Sequence, residues 1–195
     1  DIGCGAGGLL QVLHRRGYTR AEGLDPDPAA VATARALGLP VRAGLATESP
    51  GLYAGCDFKL IVLSHVAEHL RDLDWIDGLS RLLAPDGALY VEVPDPRGYD
   101  CTHRPPLYYF DSEHINHFSP RALRRLFTRM GLYPTAFPAT PLILSDGTPY
   151  PAFAGIATRV PTGIDGGGDG DAPCVDALRR YLADSLKRSA ASLRI

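Results

Sequence analysis

The residues best suited to chemistry lie at the start of the chain, in a loop that is rich in glycine. Gly3, Gly5 and Gly8 match the spacing of a dinucleotide-binding loop, in which a helix N-terminus meets a pyrophosphate. Asp1, Gly3, Gly5 and Gly7 match a second template, in which an acid precedes the first glycine. That acid can meet a ligand bearing an ammonium group, directly or through water. The glycines alone leave both ligands open, together with a tight turn that binds nothing.

A second acid, Asp25, follows the loop 17 residues after Gly8. The sequence predicts a short strand over 20–25, which places Asp25 at its carboxyl end. A carboxylate there can accept hydrogen bonds from both hydroxyls of a ribose. Alternatively, Asp25 helps Asp27 to cap the helix that begins at Pro28.

Alternating strands and helices must position these residues. The glycine loop leads into a helix with an apolar face, which ends at Gly17. Residues 57–64 are a nearly continuous apolar run, typical of a parallel strand buried on both faces. A helical stripe over 73–83, a turn over 85–87 and a second buried strand over 88–93 follow. This alternation predicts a doubly wound α/β sheet.

The second half of the chain departs from this alternation. Prolines, aromatic residues and histidines over 95–116 predict an insertion that lies over the sheet. An amphipathic helix begins at Ser119 and ends at Gly131. The last two strands, over 132–137 and 153–160, are expected to form an antiparallel pair.

The sequence divides into three segments. Residues 1–160 are expected to form the α/β domain, with its first strand truncated because the chain begins in the loop. Residues 161–172 are rich in glycine and predict a flexible linker. Residues 173–195 predict a helix with a leucine stripe that leads to a further C-terminal domain.

Composition limits the partners of the protein. The formal charge is -2, from 20 basic and 22 acidic residues without a basic block, so the sequence carries no electrostatic footprint for nucleic acid. The longest aliphatic run, over 60–63, is too short to span a membrane. Four cysteines without CxxC spacing indicate free thiols in a reducing, cytoplasmic compartment. We therefore expect a small-molecule partner, and the oligomeric state is not predicted.

Three later motifs distinguish the two nucleotide-binding templates. Residues 65–69 (HVAEH) follow the first buried strand, residues 85–87 (PDG) form the turn, and residues 92–95 (EVPD) end the second buried strand. Together with the acid at position 1, this pattern resembles the class I S-adenosylmethionine-dependent methyltransferases. The resemblance implies S-adenosylmethionine as the cofactor and a Rossmann-like, mostly parallel sheet of seven strands.

The resemblance also assigns roles to residues of the loop and of the strand ends. It implies that the loop holds the methionine end of the cofactor and that Asp25 binds the ribose. It further implies that Leu45 and Ala46 flank the adenine, and that Ser64 and His65 line the methionine pocket. The implied cofactor-binding residues are Asp1, Gly3, Gly5, Gly7, Asp25, Leu45, Ala46, Ser64 and His65.

Residues 112–119 (SEHINHFS) carry the candidate catalytic side chains. With the helix that follows, this segment resembles a motif of sugar C-methyltransferases and related small-molecule enzymes. The resemblance implies that Glu113 and His114 lie over the donor methyl group, with His114 as the base for the acceptor proton. Histidine suits this role because its ordinary pKa is near neutrality. Alternatively, these histidines pack the insertion or cap the helix.

Residues 65–69 also match HxxEH, a zinc-ligand pattern of metallopeptidases. The motif begins directly after a buried strand, before a helix has formed a turn, and the sequence identifies no third ligand. We therefore expect no metal site and expect Glu68 and His69 to shape the donor pocket through hydrogen bonds. Two alternatives for the chain remain, an NAD-dependent oxidoreductase and a non-catalytic nucleotide-binding domain.

Overall fold

The computed structural model describes residues 1–101, 104–110, 113–162 and 171–192. The helices are α1 (Gly8–Arg15), α2 (Pro28–Ala36), α3 (Ser49–Leu52), α4 (Pro120–Arg129) and α5 (Ala172–Ser192). The strands are β1 (Gly23–Asp25), β2 (Val41–Ala43), β3 (Phe58–Ser64), β4 (Leu83–Pro94), β5 (Tyr133–Ala136), β6 (Leu142–Ile143), β7 (Pro149–Tyr150) and β8 (Ala152–Thr158). Short 3-10 segments cover Ala46–Glu48, Ala67–His69, Asp74–Leu82 and Pro96–Cys101.

The main strands form a mixed four-stranded sheet and a two-stranded parallel sheet. The larger sheet has the order β3-β4-β8-β5, in which β4 is parallel to β3 and antiparallel to β8. The smaller sheet pairs β1 with β2. Ile2 connects the two sheets through isolated parallel bridges to Leu24 and Leu63.

This arrangement is an α/β fold, and it differs from the expected mostly parallel sheet of seven strands. Within the part of the chain that the structure describes, Ile2 contributes single bridges rather than a strand between β1 and β3. The larger sheet is mixed because β8 runs antiparallel to both of its neighbours. The pairing of β5 with β8 confirms the antiparallel pair that the sequence predicts.

The connection from β3 to β4 also differs from its prediction. The apolar stripe over 73–83 predicts an α-helix, but Asp74–Leu82 forms a 3-10 helix. Ile76 and Leu79 are fully buried, and their spacing of three residues matches the 3.0 residues per turn of that helix. β4 then begins at Leu83, so the turn over 85–87 lies within the strand, where the pairing register shifts.

Helix α4 packs against β8. Leu123 and Phe127 are fully buried on its apolar face. A Cβ on Gly155 of β8 would lie 2.7 Å from Cε2 of Phe127, so glycine permits this close approach. The Ser119 hydroxyl oxygen caps the helix by accepting a hydrogen bond from Ala122 N at 3.1 Å. This cap fixes the position at which α4 begins. It thereby also fixes where the preceding segment, which carries His114, ends.

An aromatic cluster joins the predicted insertion to α5. Its buried members are Tyr99, Tyr109, Tyr150 and Tyr181. The rings of Tyr99 and Tyr109 stack with centroids 3.9 Å apart, and Tyr181 of α5 meets both rings edge-on. The predicted C-terminal helix therefore packs onto the insertion. Most of the predicted linker, residues 163–170, lies outside the described residues, and a further domain beyond α5 stays a prediction.

Candidate active site

Three glycines of the opening loop adopt a positive φ. Gly3, Gly5 and Gly7 have φ values of 75°, 52° and 84°, in the left-handed region that favours glycine. A Cβ on Gly3 would lie 2.3 Å from Cγ2 of Val66, whereas a Cβ on Gly5 would project into open space. The loop therefore turns tightly into α1 and leaves room for a ligand beside Gly5.

Asp25, at the end of β1, holds this loop in place. The Asp25 carboxylate is buried and accepts hydrogen bonds from Gly5 N at 2.7 Å and from Asp27 N at 2.9 Å. Asp27, not Asp25, is the N-cap of α2, because its side chain accepts from Ala29 N. An ionised carboxylate has about four acceptor positions. Asp25 thus retains acceptor capacity for ribose hydroxyls.

A cleft of about 540 Å³ opens between the glycine loop with the start of α1 and one face of β3 and β4, along Leu60, Val62 and Ser64 of β3. Three of the predicted cofactor-binding residues, Asp1, Gly3 and Ser64, contribute to its wall. Tyr90 and Glu92 of β4 also line it, and neither residue has a role predicted from the sequence. The cleft therefore brings the loop together with one face of two neighbouring strands.

The other predicted cofactor-binding residues do not form the wall of this cleft. Gly5 and Gly7 belong to the same loop, and Asp25 ends β1. Leu45 follows β2 and is 57% exposed, and Ala46 begins the 3-10 segment after it. In an open α/β sheet, ligands bind outside the carboxyl ends of the parallel strands. Asp25, Leu45 and Ala46 lie at the carboxyl ends of the parallel strands β1 and β2.

Glu92 is the centre of a hydrogen-bond network beside the cleft. The Ser64 hydroxyl donates to Oε1 of Glu92 at 2.9 Å, and the Tyr90 hydroxyl donates to Oε2 at 2.5 Å. His65 Nε2 lies 3.3 Å from Oε1. Burial raises the pKa of Glu92, but the contact with His65 and the hydrogen bonds from Tyr90 and Ser64 outweigh it and lower the pKa to about 2. Glu92 is therefore a buried, ionised carboxylate, and its place at the end of the second buried strand was the sequence signal for it.

His65, expected in the methionine pocket, connects Glu92 to Glu68. Its φ of 55° is uncommon for a residue other than glycine, and such strain is concentrated at functional sites. Nδ1 of His65 lies 3.0 Å from Oε1 of Glu68. Burial lowers the pKa of His65, but the hydrogen bond to Glu68 and the ion pair with Glu92 outweigh it and raise the pKa to about 9. A protonated His65 thus offsets the charge of the buried Glu92 carboxylate.

Two loops meet at the carboxyl end of β3, and Asn116 joins them. The Asn116 amide Nδ2 donates to the carbonyl oxygens of Ala67 at 3.1 Å and Leu70 at 2.6 Å. The backbone N–H groups of Ile115 and Asn116 donate to the Glu68 carbonyl oxygen at 2.8 and 2.9 Å. No sequence signal identifies Asn116, because its partners lie 49 and 46 residues away.

These bonds bring the predicted catalytic segment to the HVAEH turn. The rings of His114 and His69 stack with centroids 5.0 Å apart. Nδ1 of His69 lies 2.9 Å from the Glu113 carbonyl oxygen, and the Glu113 side chain is exposed. His114 therefore reaches the turn with its side chain, whereas Glu113 reaches it with its backbone. The catalytic roles of the two residues stay predictions.

A family model described as a methyltransferase domain matches residues 1–136. The chain belongs to this methyltransferase family. The match spans the glycine loop, the strand ends and the segment that carries His114. It confirms the class I methyltransferase that the sequence predicts, and it does not favour the oxidoreductase alternative. No curated protein sequence matches the chain significantly.

Solved structures of methyltransferases share the fold. An S-adenosylmethionine-dependent methyltransferase from Methanosarcina mazei is 19% identical with a TM-score of 0.59, and the match covers 82% of this chain and 91% of that one. One from Archaeoglobus fulgidus is 17% identical with a TM-score of 0.61, covering 81% and 84% of the two chains. The plantazolicin methyltransferase BamL, solved with S-adenosylhomocysteine, is 15% identical with a TM-score of 0.59, covering 82% and 76%.

These comparisons support S-adenosylmethionine as the cofactor of the methyltransferase, as the sequence predicts. They do not confirm the finer resemblance to sugar C-methyltransferases, which stays a prediction. Among the residues that the structure describes, no helix combines the length and the apolar character needed to cross a membrane.

Proposed function

We propose that this methyltransferase moves the methyl group of S-adenosylmethionine to a small polar metabolite, with sugars and nucleotide-linked sugars as the acceptor class. The acceptor class follows from the resemblance of residues 112–119 to sugar C-methyltransferases. The observation that supports methyl transfer at this site is a continuous line of contacts from the cleft to His114. Glu92 lines the cleft and pairs with His65, and His65 pairs with Glu68. Glu68, His69 and His114 each offer a ligand atom within 4.8 Å of the other two. The proposed donor site and the proposed acceptor site therefore adjoin.

The loop and the cleft fit the donor. The open space beside Gly5 accommodates a ligand that a Cβ would obstruct, and Asp25 keeps acceptor positions for ribose hydroxyls. Asp1 and Ser64, in the wall of the cleft, would hold the methionine end. Leu45 and Ala46, after β2, would flank the adenine.

Positioning is the main catalytic task of the protein. When bound, S-adenosylmethionine supplies a sulfonium methyl group that is already activated for in-line displacement. The protein residues chiefly hold the two reactants at near-attack distance. We assign His114 as the residue that removes a proton from the acceptor, assisted by Glu113. A base of this kind contributes about 10²-fold to 10⁴-fold in rate.

We also infer a seven-position order for the whole sheet. Ile2 bridges to Leu24 of β1 on one side and to Leu63 of β3 on the other. With Ile2 in the middle position, the order is β2-β1-Ile2-β3-β4-β8-β5. This order supports the seven-stranded methyltransferase sheet that the sequence predicts.

The acceptor class can be tested by measuring S-adenosylhomocysteine release. The purified protein is incubated with S-adenosylmethionine and a panel of nucleotide-linked sugars, free sugars, catechols, and peptides. We expect release above the background rate only with members of the sugar classes. If S-adenosylhomocysteine is released only with a catechol or a peptide, the acceptor belongs to that class instead of the sugars. If no compound of the panel causes release, the proposed acceptor class is contradicted.

A further inference from the structure

Three side chains outside the cleft wall form a compact set of potential metal ligands. Glu68, His69 and His114 each provide one ligand atom, and these atoms all lie within 4.8 Å of one another. Glu68 and His69 come from the turn after β3, and His114 comes from the segment before α4. The loops are held together by the bonds of Asn116, so the set is built by the fold itself.

His69 is oriented as a ligand. Its Nδ1 lies 2.9 Å from the carbonyl oxygen of Glu113, and a carbonyl can only accept a hydrogen bond. The proton of the neutral ring is therefore on Nδ1, and the lone pair of Nε2 is left for a cation. Nε2 lies 3.9 Å from Oε1 of Glu68. Metal-binding histidines typically donate their other ring nitrogen in this way.

Glu68 gives an independent indication of a cation site. Its side chain is 0% exposed, and Oε1 accepts a hydrogen bond from His65. Its other oxygen, Oε2, has no hydrogen-bond partner among the residues described. A buried acceptor without a partner is destabilising, and the penalty is larger for a charged group. A cation bound at this carboxylate would satisfy it.

We propose that Glu68, His69 and His114 bind one divalent transition-metal cation, which holds an acceptor through the acceptor's own oxygen atoms. The assignment of an acceptor rests on the proposed function, whereas the assignment of the cation does not. His69 is 37% exposed, so one side of the set is open to a further ligand. An acceptor with adjacent hydroxyl or keto oxygens can occupy open coordination positions.

The ligand types select the cation. One carboxylate and two imidazoles suit zinc, cobalt, manganese and nickel, whereas magnesium prefers oxygen ligands alone. Metal–ligand bonds of about 2.1 Å allow ligand atoms to lie up to about 4 Å apart around one ion. A small rotation of the two partly exposed histidine rings is enough to reach that spacing.

This proposal revises two expectations. The sequence predicts no metal site, because it identifies no third ligand to join His65 and His69 of the HxxEH motif. The structure shows that His114 lies beside His69, and that His65 points between Glu68 and Glu92 instead. With a cation bound, His114 acts as a ligand, and the cation replaces it in activating the acceptor.

The test is a titration of the metal-stripped protein with Co²⁺, followed by calorimetry and by the visible absorption of bound cobalt. Variants His69→Ala and His114→Ala remove single ligands, and His14→Ala in α1 is the matched control. Mg²⁺ is titrated into the wild-type protein for comparison. Circular dichroism shows whether each variant is folded. If His114→Ala is not folded, the Co²⁺ affinity of His69→Ala alone tests the proposal.

We expect the wild type and His14→Ala each to bind one Co²⁺ per chain. Both ligand variants should bind Co²⁺ at least tenfold more weakly than the wild type does. The wild type should bind Mg²⁺ more weakly than Co²⁺. Absence of Co²⁺ binding to the wild type, or a loss smaller than tenfold in either folded ligand variant, would overturn the proposal. S-adenosylmethionine is titrated into the same samples. Co²⁺ binding without donor binding would refute the proposed function while supporting the cation site. Donor binding without Co²⁺ binding would refute the cation site while supporting the proposed function.

Discussion

At the scale of single residues, His114 is the side chain on which acceptor activation depends, as a base or as a cation ligand. We predict that His114→Ala lowers kcat at least about 100-fold, because a positioned base contributes this much or more. Donor affinity should stay within about twofold, since His114 does not line the cleft. Steady-state kinetics and donor titration measure the two effects. His14→Ala is the control, and unchanged turnover in His114→Ala would remove the residue from the mechanism.

Glu92 predicts a pH dependence of stability. Its folded-state pKa of about 2 lies below the ordinary value of 4.5, so its stabilising effect is present above pH 4.5 and is lost as the pH falls toward 2. Between pH about 7 and about 3, this loss amounts to roughly 2 kcal/mol. Urea unfolding across that range should therefore show a smaller decrease in the free energy of unfolding for Glu92→Gln than for the wild type. Equal decreases in the two proteins would show that the carboxylate is not stabilised in the fold.

Some site residues could be predicted from sequence, and others could not. Gly5 lies just before α1, and Asp25 is the last residue of β1. Because both positions are defined by neighbouring elements of the chain, their spacing in the sequence predicts that they come together. Asn116 cannot be found in this way, because it acts on backbone carbonyls of a distant turn. The resemblance implies a side-chain role for Glu113, whereas the contact that Glu113 makes with His69 uses its carbonyl oxygen.

At the scale of elements, the glycine loop should determine donor affinity. Gly5 and Gly17 both have positive φ and open space at the position of a Cβ, so alanine carries a similar backbone penalty at either site. Gly17 follows the end of α1, away from the cleft. We predict that Gly5→Ala weakens S-adenosylmethionine binding at least tenfold, whereas Gly17→Ala leaves it within about twofold. Calorimetry measures both, and equal affinities would mean that the donor does not approach Gly5.

The elements also show which local patterns predict structure. The apolar run over 57–64 predicts β3, and the cap and apolar stripe over 119–131 predict α4, because both signals are local. The 3-10 helix Asp74–Leu82 was not predicted, since a stripe of apolar residues spaced by three or four fits an α-helix equally well. Pairing partners of a strand are set by packing across the whole sheet, so the mixed order could not be derived from periodicity.

At the scale of the whole molecule, α5 should contribute to the stability of the insertion. Tyr181 is 2% exposed and contacts Tyr99 and Tyr109, whereas Tyr18 is 64% exposed. We predict that Tyr181→Ala lowers the free energy of unfolding by about 3 kcal/mol, as for other large aromatic side chains removed from a core. Tyr18→Ala should change it by less than about 0.5 kcal/mol. Denaturant unfolding measures the free energy of unfolding of both variants. Similar losses of stability in the two would mean that α5 does not pack against Tyr99 and Tyr109.

The most direct test of the account is the choice of cofactor by the intact chain. Calorimetric titrations with S-adenosylmethionine, S-adenosylhomocysteine and NAD⁺ are carried out under one set of conditions. We predict that S-adenosylmethionine and S-adenosylhomocysteine each bind with one molecule per chain, and that NAD⁺ does not bind. Binding of NAD⁺ without binding of S-adenosylmethionine would contradict the account.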